Sequence, residues 1–444
     1  MKATIKTCKL LSITAMVFMT SSAIAQKMQY FRPNDKNGLN VFETTKKDSV
    51  TFKRLAVKVG GNFTQDFQAL RAHNNATPVT APDGSNSNEL MPLKNGFNLA
   101  MANFNIDAQL SDGIRLSLTT YLSTRHHEDA WVKGGYIQFD KLTFLKSPLI
   151  NLLMSRISIK VGDFDVDYGD EHFRRTDGGN TIYNPFVENY IMDAFATEIG
   201  GEIYYHSNNG FLAVGGISDG QLDPTVVAST GIDPKTGKLN VYAPAFHGKI
   251  GYDKQVSSDL RLRLTGSFYT NKSSSLNTLY WGDRTGSHYF FVMENTEATS
   301  DGNAWSGRYN PAFSEQVKAF MINPFLKYKG LEFFGTYEMT KGRTLAETNL
   351  LQANQYAADL IYRFPAEKKN FWIGARYNSV TAAMPGDPND ITINRITGSL
   401  GWFMTKNVMM KAEYVNQDYN NFPTNDIRSG GQFNGVMIEA SVGF

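Results

Sequence analysis

The sequence predicts an all-β chain whose strands close into a transmembrane antiparallel β-barrel, most simply of sixteen strands. Three observations predict it. The closing segment alternates strictly in hydrophobicity, the opening segment reads as an export leader, and short and long connections alternate between them. In the last ten residues Val436, Ile438, Ala440, Val442 and Phe444 share one parity, and Gly435, Met437, Glu439, Ser441 and Gly443 share the other. A two-residue period sends the first set to one face of a strand and the second to the opposite face.

At the opening end, Lys2, Lys6 and Lys9 precede a mostly apolar run over 10–20, and Ala23-Ile24-Ala25 forms an A-x-A cleavage site. This is the pattern of a secretory signal peptide over 1–25, too short in its apolar part to span a bilayer. The single cysteine, Cys8, falls inside it. The exported chain is therefore expected to lack disulfides, thiolate metal sites and a cysteine nucleophile. Removing three lysines leaves 41 basic residues against the chain's 42 acidic ones, a near-neutral balance that gives no reason to expect a nucleic-acid partner. Aromatic residues make up 13% and glycine numbers 38, a mixture suited to strands joined by tight turns. No apolar run reaches the roughly 18 residues of a membrane helix.

Residues 26–53 are polar and read as a periplasmic N-terminal arm, with 54–444 as the barrel. Ala100, Ala102, Phe104, Ile106, Ala108 and Leu110 alternate with polar residues, and Ser111-Asp112-Gly113 turns the chain into Ile114, Leu116 and Leu118. That is a hairpin with one apolar and one wet face. The same pattern recurs around Ile203, Leu262, Phe333, Leu360, Ile373 and Met410. Short connections near 111–113, 141–156, 206–210, 253–259, 329–330, 365–370 and 404–407 alternate with longer ones near 71–97, 124–130, 165–194, 219–243, 271–315, 341–350, 382–389 and 419–434. Such asymmetry distinguishes periplasmic turns from extracellular loops. The segment His288 to Glu294 (HYFFVME) would raise the count to eighteen if it formed a hairpin. A spanning sheet must close on itself, because lipid offers an open edge no hydrogen-bond partner.

A barrel of this strand number leaves room for water, and the polar arm is too short to be a folded plug. The third long loop, over 163–194, is the candidate for a narrowing element. It carries Asp170, Glu171, Arg174, Arg175 and Asp177, which would face the lumen as a pore constriction, or pair among themselves at the cell surface. Asp163, Asp165 and Asp167 resemble the start of a calcium loop, but Gly169 is one place late and no Glu stands twelfth, so no metal is expected. On the strands, Arg115, Arg261, Arg263, Arg376, Lys411, Glu202 and Glu413 fall on the inward parity. This mixed set suits a general diffusion pore for small polar solutes. His126, His127 and Glu128 sit together in a short loop and read as a solvated tip. No nucleophile–base arrangement or phosphate loop occurs, so neither an enzyme nor a cofactor is expected.

The chain end, with Val436, Ile438, Ala440 and Val442 leading to Phe444, resembles the closing strand of bacterial outer-membrane barrels. There it would be the signal read by the barrel-assembly machinery. The run Gly401-Trp402-Phe403-Met404-Thr405-Lys406-Asn407-Val408, continuing to Lys411-Ala412-Glu413-Tyr414, is similar to the closing hairpin of the phosphate-selective porin O and P family, as is the Val161-Gly162-Asp163-Phe164 entry to the third loop. The resemblance implies a sixteen-stranded porin in the outer membrane, assembled as a homotrimer and passing small, phosphate-like anions. The chain departs from that family in having no lysine in the third loop. A different class, a non-conducting barrel acting as a surface adhesin through its long loops, is the alternative.

Overall fold

The computed structural model describes residues 28–44, 46, 50–98, 100–125, 129–222 and 226–444. The leader over 1–25 and the His126-His127-Glu128 cluster lie outside the described residues. Sixteen long antiparallel strands form one closed sheet among them. The first eight are β1 (Ala56–His73), β2 (Met101–Ser111), β3 (Ile114–Ser123), β4 (Trp131–Phe139), β5 (Ile157–Asp165), β6 (Thr197–His206), β7 (Phe211–Ser218) and β8 (Ala245–Gln255). The second eight are β9 (Leu260–Asn271), β10 (Gln316–Tyr328), β11 (Leu331–Arg343), β12 (Leu351–Phe364), β13 (Phe371–Ala383), β14 (Asp390–Phe403), β15 (Val408–Asn420) and β16 (Gln432–Gly443). The sixteen-strand expectation holds. The HYFFVME segment forms no strand and folds inward instead.

Closure rests on β1, the longest strand at 18 residues. Its first part pairs with β2, from Ala56↔Gln109 to Thr64↔Met101. Its second part pairs with β16, from Asn62↔Gly443 to His73↔Gln432. The ladder runs on to Phe444, whose N–H and C=O both bond Gly61. Short and long connections alternate around the ring. The one long connection at the short-turn rim, between β4 and β5, is occupied by α1 (Pro148–Met154), capped by Ser147, whose side chain accepts from the Ile150 N–H. Its Leu149, Leu152 and Leu153 are exposed.

The period-two pattern becomes two faces. On β12, Tyr356, Ala358, Leu360, Tyr362 and Phe364 point outward, and Gln355, Ala357, Asp359, Ile361 and Arg363 are buried inside. Outward rings of neighbouring strands meet near the short-turn rim. Tyr362, Phe364, Phe371 and Trp402 stack in a row with centroid separations of 6.0, 5.9 and 5.7 Å. Tyr337 and Tyr356 pair at 4.9 Å higher on the wall, and Tyr377 and Tyr414 are half exposed. From Tyr356 to Phe364, at ~3.3 Å per residue and a tilt of about 40°, is about 20 Å, close to the apolar height of a membrane barrel. Aromatic girdles at two levels are what a bilayer's interfaces select.

The interior corrects one expectation. The polar stretch expected as an arm outside the barrel enters it from the short-turn end. Phe42 is buried against Phe173 and Phe325, Asn40 bonds Glu332 at 2.8 Å, and Arg32 donates to the Gly38 and Phe173 carbonyls. The lumen is also not a wide tube. The third long loop and the 272–315 loop both fold inward, burying Val187, Ile191, Met192, Tyr289 and Val292 against Val380, Ile391, Ile393, Val415 and Phe433 on the inner wall. The inward parity of β13 to β16 is apolar near the long-loop rim, so the loops find there a hydrophobic surface to cover.

A lateral passage as the candidate functional site

The loops and the arm pack under β9–β16 and leave open space against the other wall. A cavity of about 250 Å³ is lined by inward residues of β2 to β6, by the arm, and by the third loop. Asn105, Asp107, Arg115, Ser117, Gln138, Ser158, Lys160 and His206 form its wall. No residue of β9–β16 lines it. The charged side chains that do are Arg32, Arg115, Lys133, Lys160 and Arg175 against Glu43, Asp107, Asp165 and Asp177, with His172 and His206 beside them. The lining is thus five cations to four acids, close to balance.

The end toward the long loops is set by Lys133. The β3–β4 register pairs Thr119 with Gly134 and Thr120 with Val132, leaving Lys133 as the extra residue of a bulge. A bulge re-aims a side chain, and here it turns the ammonium inward onto Asp177, with Asp165 at 3.7 Å. Asp177 also accepts from the Tyr121 hydroxyl at 2.8 Å and faces Arg175 at 3.3 Å. Arg175 lies over the Phe195 ring at 4.0 Å, and Lys133 lies 5.3 Å from that ring. Arg175 is held further by Asp193 and by Asp283 at 3.0 Å. Burial opposes its charge, but these two acids outweigh burial and raise its pKa above the ordinary guanidinium value. Beyond Lys133 a second cavity of about 230 Å³ begins, also lined by Lys133 and reaching the long-loop rim. The two cavities share Lys133 in their linings, and its partner Asp177 lines the first.

Of the five residues expected at a constriction, the fold brings Arg175 and Asp177 to the cavity. All five are buried inside the barrel rather than at the cell surface. Asp170 is turned to the opposite wall, where Arg263 holds it at 2.7 Å and Lys249 at 3.1 Å. Burial favours its neutral form, but those cations outweigh burial and lower its pKa. Arg174 stacks over Phe325 and Phe334, at 5.4 and 5.0 Å. Burial, and after it the nearby Glu338, push the Glu171 carboxyl well above the usual carboxylate range.

The seven strand charges also point inward, mostly into pairs. Arg115 meets Asp140 at 2.9 Å, Arg261 meets Asp253 at 2.6 Å, and Arg263 meets Asp170. Arg376 meets Asp359 at 2.7 Å, Lys411 meets Glu439 at 2.7 Å, and Glu202 meets Lys160 at 2.8 Å. Glu413 accepts from the Val187 N–H at 2.7 Å. Arg115 alone of these lines the first cavity. Lys160, Lys133 and Tyr121 were not singled out from the sequence. Lys160 was legible, since it alternates with the outward Ile157, Ile159 and Val161. The bulge hides Lys133.

No protein-family model matches the chain, and no curated protein matches its sequence. Among solved structures it is similar to an anion-selective porin from Comamonas acidovorans, at 10% identity over 88% of this chain and 100% of that one, with a TM-score of 0.49. It is similar to outer-membrane expressed OmpT of Vibrio cholerae, at 11% identity over 89% of this chain and 99% of that one, with a TM-score of 0.47. Pseudomonas putida OprB is similar at 9% identity over 87% of this chain and 94% of that one, with a TM-score of 0.49.

Proposed function

We propose that this barrel is an outer-membrane porin that conducts small polar solutes through a narrow side passage rather than through a central tube. The polar cavity along β2–β6, continued past Lys133 by the second cavity, carries the reading. Its near balance of charge suits a diffusion route with at most a weak preference for anions. A phosphate-selective site of the porin O and P kind would need a cationic cluster. Here Arg115, Lys133, Lys160 and Arg175 each already face an acid, and Arg32 donates to the Gly38 and Phe173 carbonyls. The long loops would face the medium, and the barrel would reach the membrane through the assembly machinery and trimerise there.

The test is single-channel recording of the purified barrel in planar bilayers. Small, steady conductance steps support the passage. The dense filling under β9–β16 favours a second reading, a non-conducting barrel that binds partners through its loops. A silent barrel with native heat-modifiability would establish that reading instead.

A further inference from the structure

We infer that the outer of the two cavities is a binding site for a neutral hydroxylated ring, the chemistry of a carbohydrate unit. Three of the chain's five tryptophans line it. Trp131 comes from the start of β4, and Trp281 and Trp305 come from the inward-folded 272–315 loop, with Phe195 beside them. The Trp305 indole is fixed, its N–H donating to the Asp283 carbonyl at 3.1 Å. Clustered aromatic faces beside a few polar groups offer a flat apolar surface, which suits a ligand with one apolar face and a polar rim.

A second observation concerns the rim. Thr278 also lines the cavity and is 4% exposed, and its hydroxyl has no hydrogen-bond partner. Buried hydroxyls are nearly always bonded, and this one lies shielded just behind the cavity's surface, where a ligand hydroxyl would reach it after a small shift of the wall. The charges decide which ligand. Lys133 and Arg284 stand against Asp283 and Asp301. Lys133 is already paired to Asp177, and Asp283 to Arg175. The cavity therefore presents no excess charge to hold a carboxylate, a phosphate or an ammonium. A sugar ring fits, with C–H groups against the indoles and hydroxyls toward Thr278 and the paired charges. At about 230 Å³ the space lies below the roughly 300–1,000 Å³ typical of drug-sized ligands, so it takes one ring at a time.

The site deepens the porin reading and rests on it only for the step from binding to transport. Binding is therefore measured apart from conduction. The folded barrel in detergent is titrated with glucose and with cellobiose, following intrinsic tryptophan fluorescence. Mannitol is the hydroxylated probe without a ring, benzoate the flat anion, and inorganic phosphate the small anion. A saturable change with the two sugars, absent with the other three, is expected. W305A should weaken it about five- to tenfold, the loss of one stacking face. T278V, which keeps the side chain's shape, should weaken it as well in a barrel of unchanged heat-modifiability. Saturation by benzoate or phosphate in place of the sugars overturns the carbohydrate assignment, and no saturation by any probe overturns the site. A barrel that binds cellobiose but carries no current keeps the site and refutes the porin; one that conducts without binding does the reverse.

Discussion

His288 shows how a single residue couples a loop to the wall. It reaches from the 272–315 loop to the seam where β1 meets β16, with Nδ1 at 2.6 Å from Asp66 and 3.3 Å from Glu439. Lys411 faces the same Glu439, and the His288 backbone N–H bonds Glu188 of the third loop. Burial would lower the imidazole pKa, but Asp66 and the other acids outweigh it and raise it to about 9. The folded value exceeds the ordinary one of about 6.5, so the stabilisation is complete below that pH and fades as pH rises through about 9. Melting temperature measured between pH 6 and 10 should fall across that window, by the equivalent of about 2–3 kcal/mol. H288Q should flatten the fall. Arg175 and Arg174 make a contrasting pair. Both are buried, but only Arg175 lines the passage, where it balances Asp177, Asp193 and Asp283. R175A should shift the reversal potential in a salt gradient toward cations, and R174A should leave it unchanged; equal shifts would refute the side passage.

Strands were legible because a lipid-facing wall forces a two-residue period on every one of them, and β12 and β16 keep it without interruption. The turns followed from the same constraint. What escaped was non-local. The arm over 28–44 has no period, and its place inside the barrel depends on a gap that distant loops leave between themselves. Gly443 registers that contact, since a Cβ there would lie 2.3 Å from the Asn34 carbonyl oxygen. Asp170 and Arg174 were expected at the constriction beside Arg175 and Asp177, but nothing local tells which wall a folded loop will face. β16 carries the element-scale prediction. Val436, Ile438, Ala440, Val442 and Phe444 are all exposed on its outer face, and Phe444 closes the ladder against Gly61. Deleting Phe444 should lower the yield of heat-modifiable barrel in the outer-membrane fraction, both by removing two closing hydrogen bonds and by shortening the apolar face offered for assembly. Full yield from the truncated chain would remove that residue from the assembly signal.

At the scale of the molecule, orientation is open to a direct test. Gly231 lies in a long loop, and Asn208 and Lys368 lie in short turns. With Cys8 replaced by serine, cysteine placed at Gly231 should react with an impermeant label on whole cells, and cysteine at Asn208 or Lys368 should not. The reverse pattern would invert the barrel. Gly178, although in the third long loop, is buried against Asn103, Tyr121 and Thr285 and would stay silent in either orientation.

The inward-folded third loop has a consequence for the cell that carries the protein. A sixteen-stranded wall by itself has room for an aqueous channel, and one of the stretches filling it, the third loop, is held through Lys411, Arg376 and Arg395 to its backbone carbonyls. Excising 170–190 should give larger conductance steps than the intact barrel. Bacteria bearing it should become more sensitive to bulky hydrophilic antibiotics than bacteria bearing the intact barrel.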